Sequence, residues 1–221
     1  MQRTTTRFWL IRHATVAPEA LAVLYGQRDV PVCGDRMLTD GPRYTYLARV
    51  LPRNADWLVT PLSRTHHTAE AISHAGYGVT DPVVEPGLIE QSFGQWEGRS
   101  MTEFAGARAE HPFWPIGGDA EPPGGESFVQ LRARVGAALT RRTENHLGRD
   151  IVAISHGGAI RAAIAHALSL SAHQALSLAI ENLSLTVLEH HTSWHPTPTA
   201  TPKAIAEGAW RIVTINEHSA I

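Results

Sequence analysis

Short apolar runs alternate with longer stretches of helical spacing along this chain. Phe8-Trp9-Leu10-Ile11 has the length and the aromatic and branched character of a buried strand, and it breaks at Arg12-His13-Ala14-Thr15. Asp56-Trp57-Leu58-Val59-Thr60 predicts a second strand. Pro61 then suits the first turn of a helix with Leu62, Thr65, Ala69 and Ile72 along one side, stopping near Gly76 and Gly78. Ile151-Val152-Ala153-Ile154-Ser155 predicts a third strand, and His156-Gly157-Gly158 turns it into a helix with Ile160, Ala163, Ile164 and Leu168 on one face. Ahead of it, Phe128, Leu131, Val135 and Leu139 recur at helical spacing, and Asn145 to Arg149 closes that helix.

The intervening segments carry weaker patterns. A loop is expected through Tyr25-Gly26-Gln27, Pro31 and Gly34, and Thr39 is a candidate cap for a helix carrying Tyr44, Leu47 and Leu51. Glu85 to Trp96 reads as irregular, with a short strand at Leu88-Ile89. Arg99 to Gly125 is rich in Pro and Gly around Phe113 and Trp114, and predicts a lid-like excursion at about 99–126. Two more strands fit Ser184 to Leu188 and Trp210 to Ile215, with a Thr/Pro-rich loop from Thr192 to Pro202 between them. No repeat or linker divides residues 1–221, so one domain is expected. Strands alternating with helices predict an α/β layer fold with a mostly parallel sheet. Sites in such folds form outside the carboxyl ends of strands, where Arg12-His13, the turn leading to Arg64, and Ser155-His156 all fall.

Composition narrows the partners. Of 221 residues, 43% are hydrophobic and 18% charged, which is globular usage. The net charge is -2 with no run of Lys or Arg, against a nucleic-acid binder, so any attraction for anions is local. The lone Cys33 excludes an intrachain disulfide and suits a reducing compartment. No apolar run has the length of a membrane span, and Phe8 to Ile11 is too brief for a signal-peptide core. A soluble cytoplasmic enzyme is the expectation.

The polar clusters suit a phosphoryl group. Arginine offers a rigid fork of donors matched to phosphate oxygens, and Arg12 and Arg64 supply two. Gly157 opens a helix whose first N–H groups favour an anion. A neutral imidazole at His13 is a competent nucleophile toward phosphorus, and His156 can stabilise charge on the transferring oxygens. One carboxyl must serve the leaving oxygen; Glu90 is the candidate and Glu97 the rejected neighbour. Taken singly, each of these residues has an ordinary surface reading.

Four segments carry a resemblance. Leu10-Ile11-Arg12-His13-Ala14, Thr60-Pro61-Leu62-Ser63-Arg64-Thr65-His66-His67-Thr68-Ala69, Glu90 through Gly98, and Ser155-His156-Gly157-Gly158 resemble, in order, the motifs of the histidine phosphatase superfamily, also called phosphoglycerate-mutase-like. The resemblance implies a three-layer α/β/α sandwich, His13 as the phosphorylated nucleophile, and Glu90 as the proton donor. Arg12, Arg64 and His156 become the phosphate clamp, and neither metal nor cofactor is implied. Two departures stand out. Ala14 replaces the commonest glycine, and Thr15-Val16-Ala17-Pro18 replaces a frequent Glu-Thr-x-x-Asn continuation, so a ligand-contacting asparagine is missing or supplied from elsewhere. Tyr25-Gly26-Gln27-Arg28-Asp29-Val30-Pro31 and Pro123-Gly124-Gly125-Glu126-Ser127-Phe128 are similar to the subgroup that contains α-ribazole phosphatases.

A phosphomonoesterase acting on a small phosphorylated metabolite is therefore expected, with α-ribazole 5'-phosphate as one candidate. Phosphoglycerate mutase-type transfer is the alternative, but the mutases' Glu-Arg-x-Tyr-Gly insert has no counterpart between Arg99 and Gly125. Two distant readings compete. Ala153-Ile154-Ser155-His156-Gly157 is one residue from the nucleophile elbow of serine α/β-hydrolases, yet no aspartate follows Ser155. Thirteen histidines invite a non-catalytic metal- or phospho-ligand-binding module, but His66-His67, His190-His191 and His195 lack ligand spacing and read as solvated. Gln27 and Trp114 are candidate pocket residues. Trp96 and Phe113 are expected to pin the loop, and Cys33 to be a bystander.

Overall fold

The computed structural model describes residues 4–79, 81–105, 111–192 and 208–218. Its strands are β1 (Thr5–Arg12), β2 (Asp56–Val59), β3 (Val83–Val84), β4 (Asp150–Ser155), β5 (Leu185–His191) and β6 (Ala209–Glu217). They form one six-stranded sheet in the order β3-β2-β4-β1-β5-β6. β3, β2, β4 and β1 run parallel, and β5 and β6 add two antiparallel pairings at one edge. The sheet is thus mixed, with its parallel half holding the three polar strand ends.

The helices are α1 (Pro18–Leu21), α2 (Gly34–Thr39), α3 (Gly41–Val50), α4 (Ser63–Ile72), α5 (Met101–Ala105), α6 (Phe128–Asn145), α7 (Gly157–Leu168) and α8 (Ala172–Leu176). Successive side chains of β1 and β4 point to opposite faces and both faces are buried, hence the continuous apolar runs. Phe8, Leu10, Ile151 and Ala153 pack with Leu131 and Val135 of α6 and with Ile160 and Ile164 of α7. Ile11, Val152 and Ile154 pack on the other side with Tyr44 and Leu47 of α3 and with Ala69 and Ile72 of α4. Two helical layers around one sheet make the expected α/β/α sandwich.

Several local expectations are corrected. The stretch before α3 is not all loop, since it forms α1 and α2. Thr39 ends α2, and Asp40 occupies the position before α3. Pro61 precedes its helix, because Leu62 stays extended and α4 starts at Ser63. The short strand lies at Val83–Val84, while Pro86–Leu88 forms a tight helical turn that buries Leu88. Leu168 is 45% exposed in the last turn of α7. Most of the Thr/Pro-rich loop, from residue 193 onward, lies outside the described residues.

Candidate active site

β2, β4 and β1 are adjacent and parallel, so their carboxyl ends deliver Thr60, Ser155-His156 and Arg12-His13 to one edge. The His13 N–H donates to the Ser155 carbonyl at 2.9 Å and stitches two of those ends together. His13 is buried, and its Nδ1 lies 2.7 Å from the Ala14 carbonyl oxygen. A carbonyl only accepts, so Nδ1 carries the hydrogen. Burial, with the Arg64 and Arg12 charges, holds the His13 pKa well below its ordinary 6.5. The ring is therefore neutral near pH 7, and Nε2 keeps a lone pair for attack.

His156 caps the start of α7 with its ring 5.1 Å from that of His13, centroid to centroid. Its Nε2 is 2.9 Å from the Thr60 hydroxyl, and its Nδ1 is buried without a partner. Burial first, then His13, Arg64 and Arg12, hold this ring neutral as well. Arg64 enters from the first turn of α4 and is fully buried. Its terminal nitrogens donate to the Arg28 and Gly26 carbonyls, each at 2.8 Å, and its guanidinium lies 5.2 Å from the Tyr25 ring centroid. Arg12 Nη1 donates to the Ile180 carbonyl at 2.6 Å. The Nε atoms of Arg12 and Arg64 are both buried without an acceptor.

Glu90 follows the Leu88 turn, which the buried Ser155 hydroxyl holds by donating to the Leu88 carbonyl at 2.8 Å. That bond occupies the Ser155 hydroxyl, contrary to the nucleophile-elbow reading. The Glu90 carboxylate accepts from Gln91 N at 2.9 Å and from Gly158 N at 3.1 Å, so it meets the first turn of α7. A Cβ on Gly158 would fall 2.3 Å from Glu90 Oε1, which explains the glycine. Gly157 lies under Arg12, whose Nε would be 3.5 Å from an added Cβ.

The other expected residues are more varied. The Gln27 side-chain amide nitrogen donates to the Glu90 carbonyl at 2.8 Å, fixing the backbone at Glu90. Glu97 Oε1 accepts from Gln27 N at 3.0 Å and Phe93 N at 3.1 Å, tying two loops. Trp114 lines the site near Gly158, with its Nε1 donating to Gln91 at 3.0 Å, whereas Phe113 is exposed. Cys33 is a free thiol whose backbone N–H donates to Thr15.

Of the histidines expected to be solvated, His67 is exposed, whereas His66 is half-buried with Nε2 2.9 Å from the Thr60 carbonyl oxygen and His191 is held between Thr5 and Glu189. His190 is buried against the Trp210 ring because β5 is covered on that face; it is not solvated. His195 lies outside the described residues. Among the described residues, no group of three or more His, Cys, Asp or Glu side chains is placed to hold a metal ion.

Three neighbours escaped the sequence reading. Thr60 orients His156, and Asn182 Nδ2 donates to the His13 carbonyl at 2.7 Å. Arg161 lies beside Arg12 and Gly157, four residues on from that glycine on the same helical face. Helical spacing from the His156-Gly157 turn was the available signal for Arg161; Asn182 had none.

Residues 8–195 match the model of the histidine phosphatase superfamily, branch 1. The chain is 30% identical over 191 residues to the probable phosphoglycerate mutase GpmB of Yersinia pestis, covering 84% of this chain and 85% of that protein. It is 31% identical over 133 residues to a bifunctional protein of Mycobacterium tuberculosis, covering 60% of this chain but 36% of that protein. The match thus spans only about a third of the length of the first mycobacterial relatives. A solved mycobacterial glucosyl-3-phosphoglycerate phosphatase superposes with a TM-score of 0.75 at 22% identity, covering 96% of this chain and 99% of that one. A putative alpha-ribazole-5'-P phosphatase from Escherichia coli gives 0.70 at 21% identity, covering 96% of each chain. These structural likenesses establish a common fold. Matched to the family model over most of its length, the chain belongs to the histidine phosphatase superfamily, branch 1.

Proposed function

We propose that this chain is a phosphomonoesterase that passes the phosphoryl group of a small phosphorylated metabolite to water through His13. One observation carries the reading. Arg12 Nε, Arg64 Nε and His156 Nδ1 are buried nitrogens without partners, on residues clustered around the free Nε2 of a neutral histidine. Buried polar groups are normally satisfied, and a phosphate has the oxygens to satisfy these.

In the first step His13 Nε2 attacks phosphorus and the bond to the leaving oxygen breaks, while Glu90, in its acid form, protonates that oxygen. In the second step the Glu90 carboxylate takes a proton from water, which attacks the phosphohistidine and releases inorganic phosphate. Arg12, Arg64, His156 and the start of α7 at Gly157 hold the phosphoryl oxygens throughout. Two arginines provide the positive charge that a divalent metal supplies elsewhere, so turnover is expected to survive chelation.

Similarity to a probable phosphoglycerate mutase favours a second reading, in which an acceptor hydroxyl replaces water. The missing mutase insert between Arg99 and Gly125 favours water. The segments around Gln27 and Pro123-Gly124-Gly125 make α-ribazole 5'-phosphate one substrate to try. We further propose that residues 1–221 act as one cytoplasmic unit with a lid-like excursion at about 99–126, of which 106–110 lie outside the described residues.

Rapid quench with a radiolabelled phosphomonoester should trap an acid-labile phosphoryl group on His13, followed by release of labelled phosphate. His13→Ala should lose both the label and turnover. Near-normal turnover in that variant would overturn the mechanism, and label recovered in a second phosphomonoester would favour the mutase reading.

A further inference from the structure

Arg161 is the only Asp, Glu, Lys or Arg in α7, and it sits in a helix otherwise built for the core. Ile160, Ala162, Ala163, Ile164 and Ala165 are all buried, and Arg161 itself is only 8% exposed. A charge in such a place needs a reason, because desolvation disfavours it unless it is paired. Its Nε donates to the Leu178 carbonyl at 2.7 Å, and its guanidinium lies 4.9 Å from the Trp114 ring centroid. The two terminal amino groups meet no acceptor among the described residues, and no carboxylate forms an ion pair with Arg161 there.

The terminal groups have a definite location. Helical side chains lean toward the helix N-terminus, which carries Arg161 back over Gly157. A Cβ on Gly157 would lie 3.1 Å from Arg161 Nη1 and 3.5 Å from Arg12 Nε. On the next residue, a Cβ on Gly158 would lie 2.3 Å from Glu90 Oε1 and 3.2 Å from the Trp114 ring. Arg161 thus lies next to the arginine beside His13, at the glycine adjacent to the one that meets the carboxyl serving the leaving oxygen. Burial, then the Arg12 charge, pull its pKa down to about 10, with Glu90 opposing, so it stays charged at neutral pH.

We propose that Arg161, backed by Trp114, is a second anion site that reads the leaving group and selects phosphomonoesters carrying another anionic group close to the ester oxygen. The shared chemistry is a carboxylate or a second phosphate, held by the guanidinium's free edge. This rests on the phosphatase reading of the site and narrows its substrate class. An uncharged alcohol would leave the buried guanidinium unanswered, which is how polar pockets reject ligands lacking the matching group.

Matched two-carbon esters test the site: phosphoglycolate, 2-phosphoethyl phosphate and 2-hydroxyethyl phosphate, the last neutral only in its leaving alcohol. Wild-type protein should prefer one or both anionic esters, and the two separate carboxylate from phosphate. Arg161→Gln should lower kcat/KM on the preferred anionic ester by on the order of 10²-fold more than on the neutral one. Arg161→Lys should recover part of that difference. Equal losses on charged and neutral esters would make Arg161 part of the phosphate clamp and overturn the proposal. Absence of any anionic preference in the wild type would overturn it without recourse to variants.

Calorimetry on His13→Ala gives a readout independent of turnover. Phosphoglycolate or 2-phosphoethyl phosphate should bind more tightly than 2-hydroxyethyl phosphate, and Arg161→Gln in that background should abolish the difference. Hydrolysis without this discrimination would sink the Arg161 site alone. Discriminating binding without any hydrolysis by the wild type would sink the phosphatase reading instead.

Discussion

Thr60 and His156 are joined side chain to side chain across the ends of β2 and β4, with the hydroxyl 2.9 Å from Nε2. A hydroxyl donating to Nε2 leaves the imidazole hydrogen on Nδ1, the nitrogen without a partner. That hydrogen is then available to a phosphate oxygen. Thr60→Val keeps the shape but frees the tautomer, and should lower kcat/KM about 10- to 100-fold, the range seen when a functional histidine loses its orienting partner. Thr60→Ser should recover most of the loss. Unchanged kinetics in Thr60→Val, with the fold intact by circular dichroism, would remove Thr60 from the site.

Arg64 is bound at both terminal nitrogens by the Gly26 and Arg28 carbonyls, so it ties the 25–28 loop to the site. Lysine cannot span both carbonyls while also serving phosphate. Arg64→Lys should reduce turnover by about 10²–10³-fold, the cost of one oxyanion donor in other enzymes. Steady-state kinetics beside proteolysis of the 25–28 loop would check both consequences. Wild-type turnover would exclude Arg64 from the clamp.

Glu90 and Glu97 differ in what they touch. Glu90 reaches the first turn of α7, while Glu97 accepts two loop N–H groups. Glu90→Gln should slow phosphoenzyme formation from an alkyl phosphate far more than from a nitrophenyl ester, whose leaving oxygen needs little protonation. Glu97→Ala should instead cost stability, about 1–3 kcal/mol for the orphaned donors, and show no such ester dependence. An alkyl-selective defect at position 97, or equal losses for both esters at position 90, would reverse the assignment.

The two buried histidines set the direction of the pH response. As the proposed nucleophile His13 must be unprotonated, and its pKa lies well below 6.5 because of burial, Arg64 and Arg12. With substrate ionisation taken into account, kcat/KM should therefore hold up as pH falls through 6.5 and decline only at lower pH. Stability moves the other way in that window. Below 6.5 the unfolded chain takes up protons that the folded His13 and His156 refuse, so stability is full above 6.5 and declines as pH falls toward the folded values. The Arg149 hydrogen bond lowers the Asp56 carboxyl, while at Glu85 and Glu189 burial raises the carboxyl but the bonds and charges of Arg142 and Arg7 outweigh it and leave both lowered. Their contributions persist above the ordinary carboxylate range and vanish only below it. Melting temperature should thus fall between pH 6.5 and 5 more steeply in wild type than in His13→Asn. Parallel curves would contradict the depressed His13 value.

Local sequence determined the strands at Phe8–Ile11, Asp56–Val59 and Ile151–Ser155, because parallel strands buried on both faces must be apolar at consecutive positions. It also determined that Arg12-His13 and Ser155-His156 sit where those strands stop, since polar residues end an apolar run. From there the order of four motifs led to the family. Edge and loop geometry was less legible. β3 has only two residues, both exposed, and the apolar Leu88 that imitated a strand is buried by a tight turn instead. Only the tertiary structure decided which distant groups meet. Asn182 reaches the His13 carbonyl across 169 positions, and Glu90 meets Gly158 across 68. No periodicity records such pairs, because they depend on how β5, the Leu88 turn and α7 pack around the sheet. The same holds for Arg161: the sequence shows an arginine in an apolar helix, and only packing sets it against Trp114 and beside Arg12.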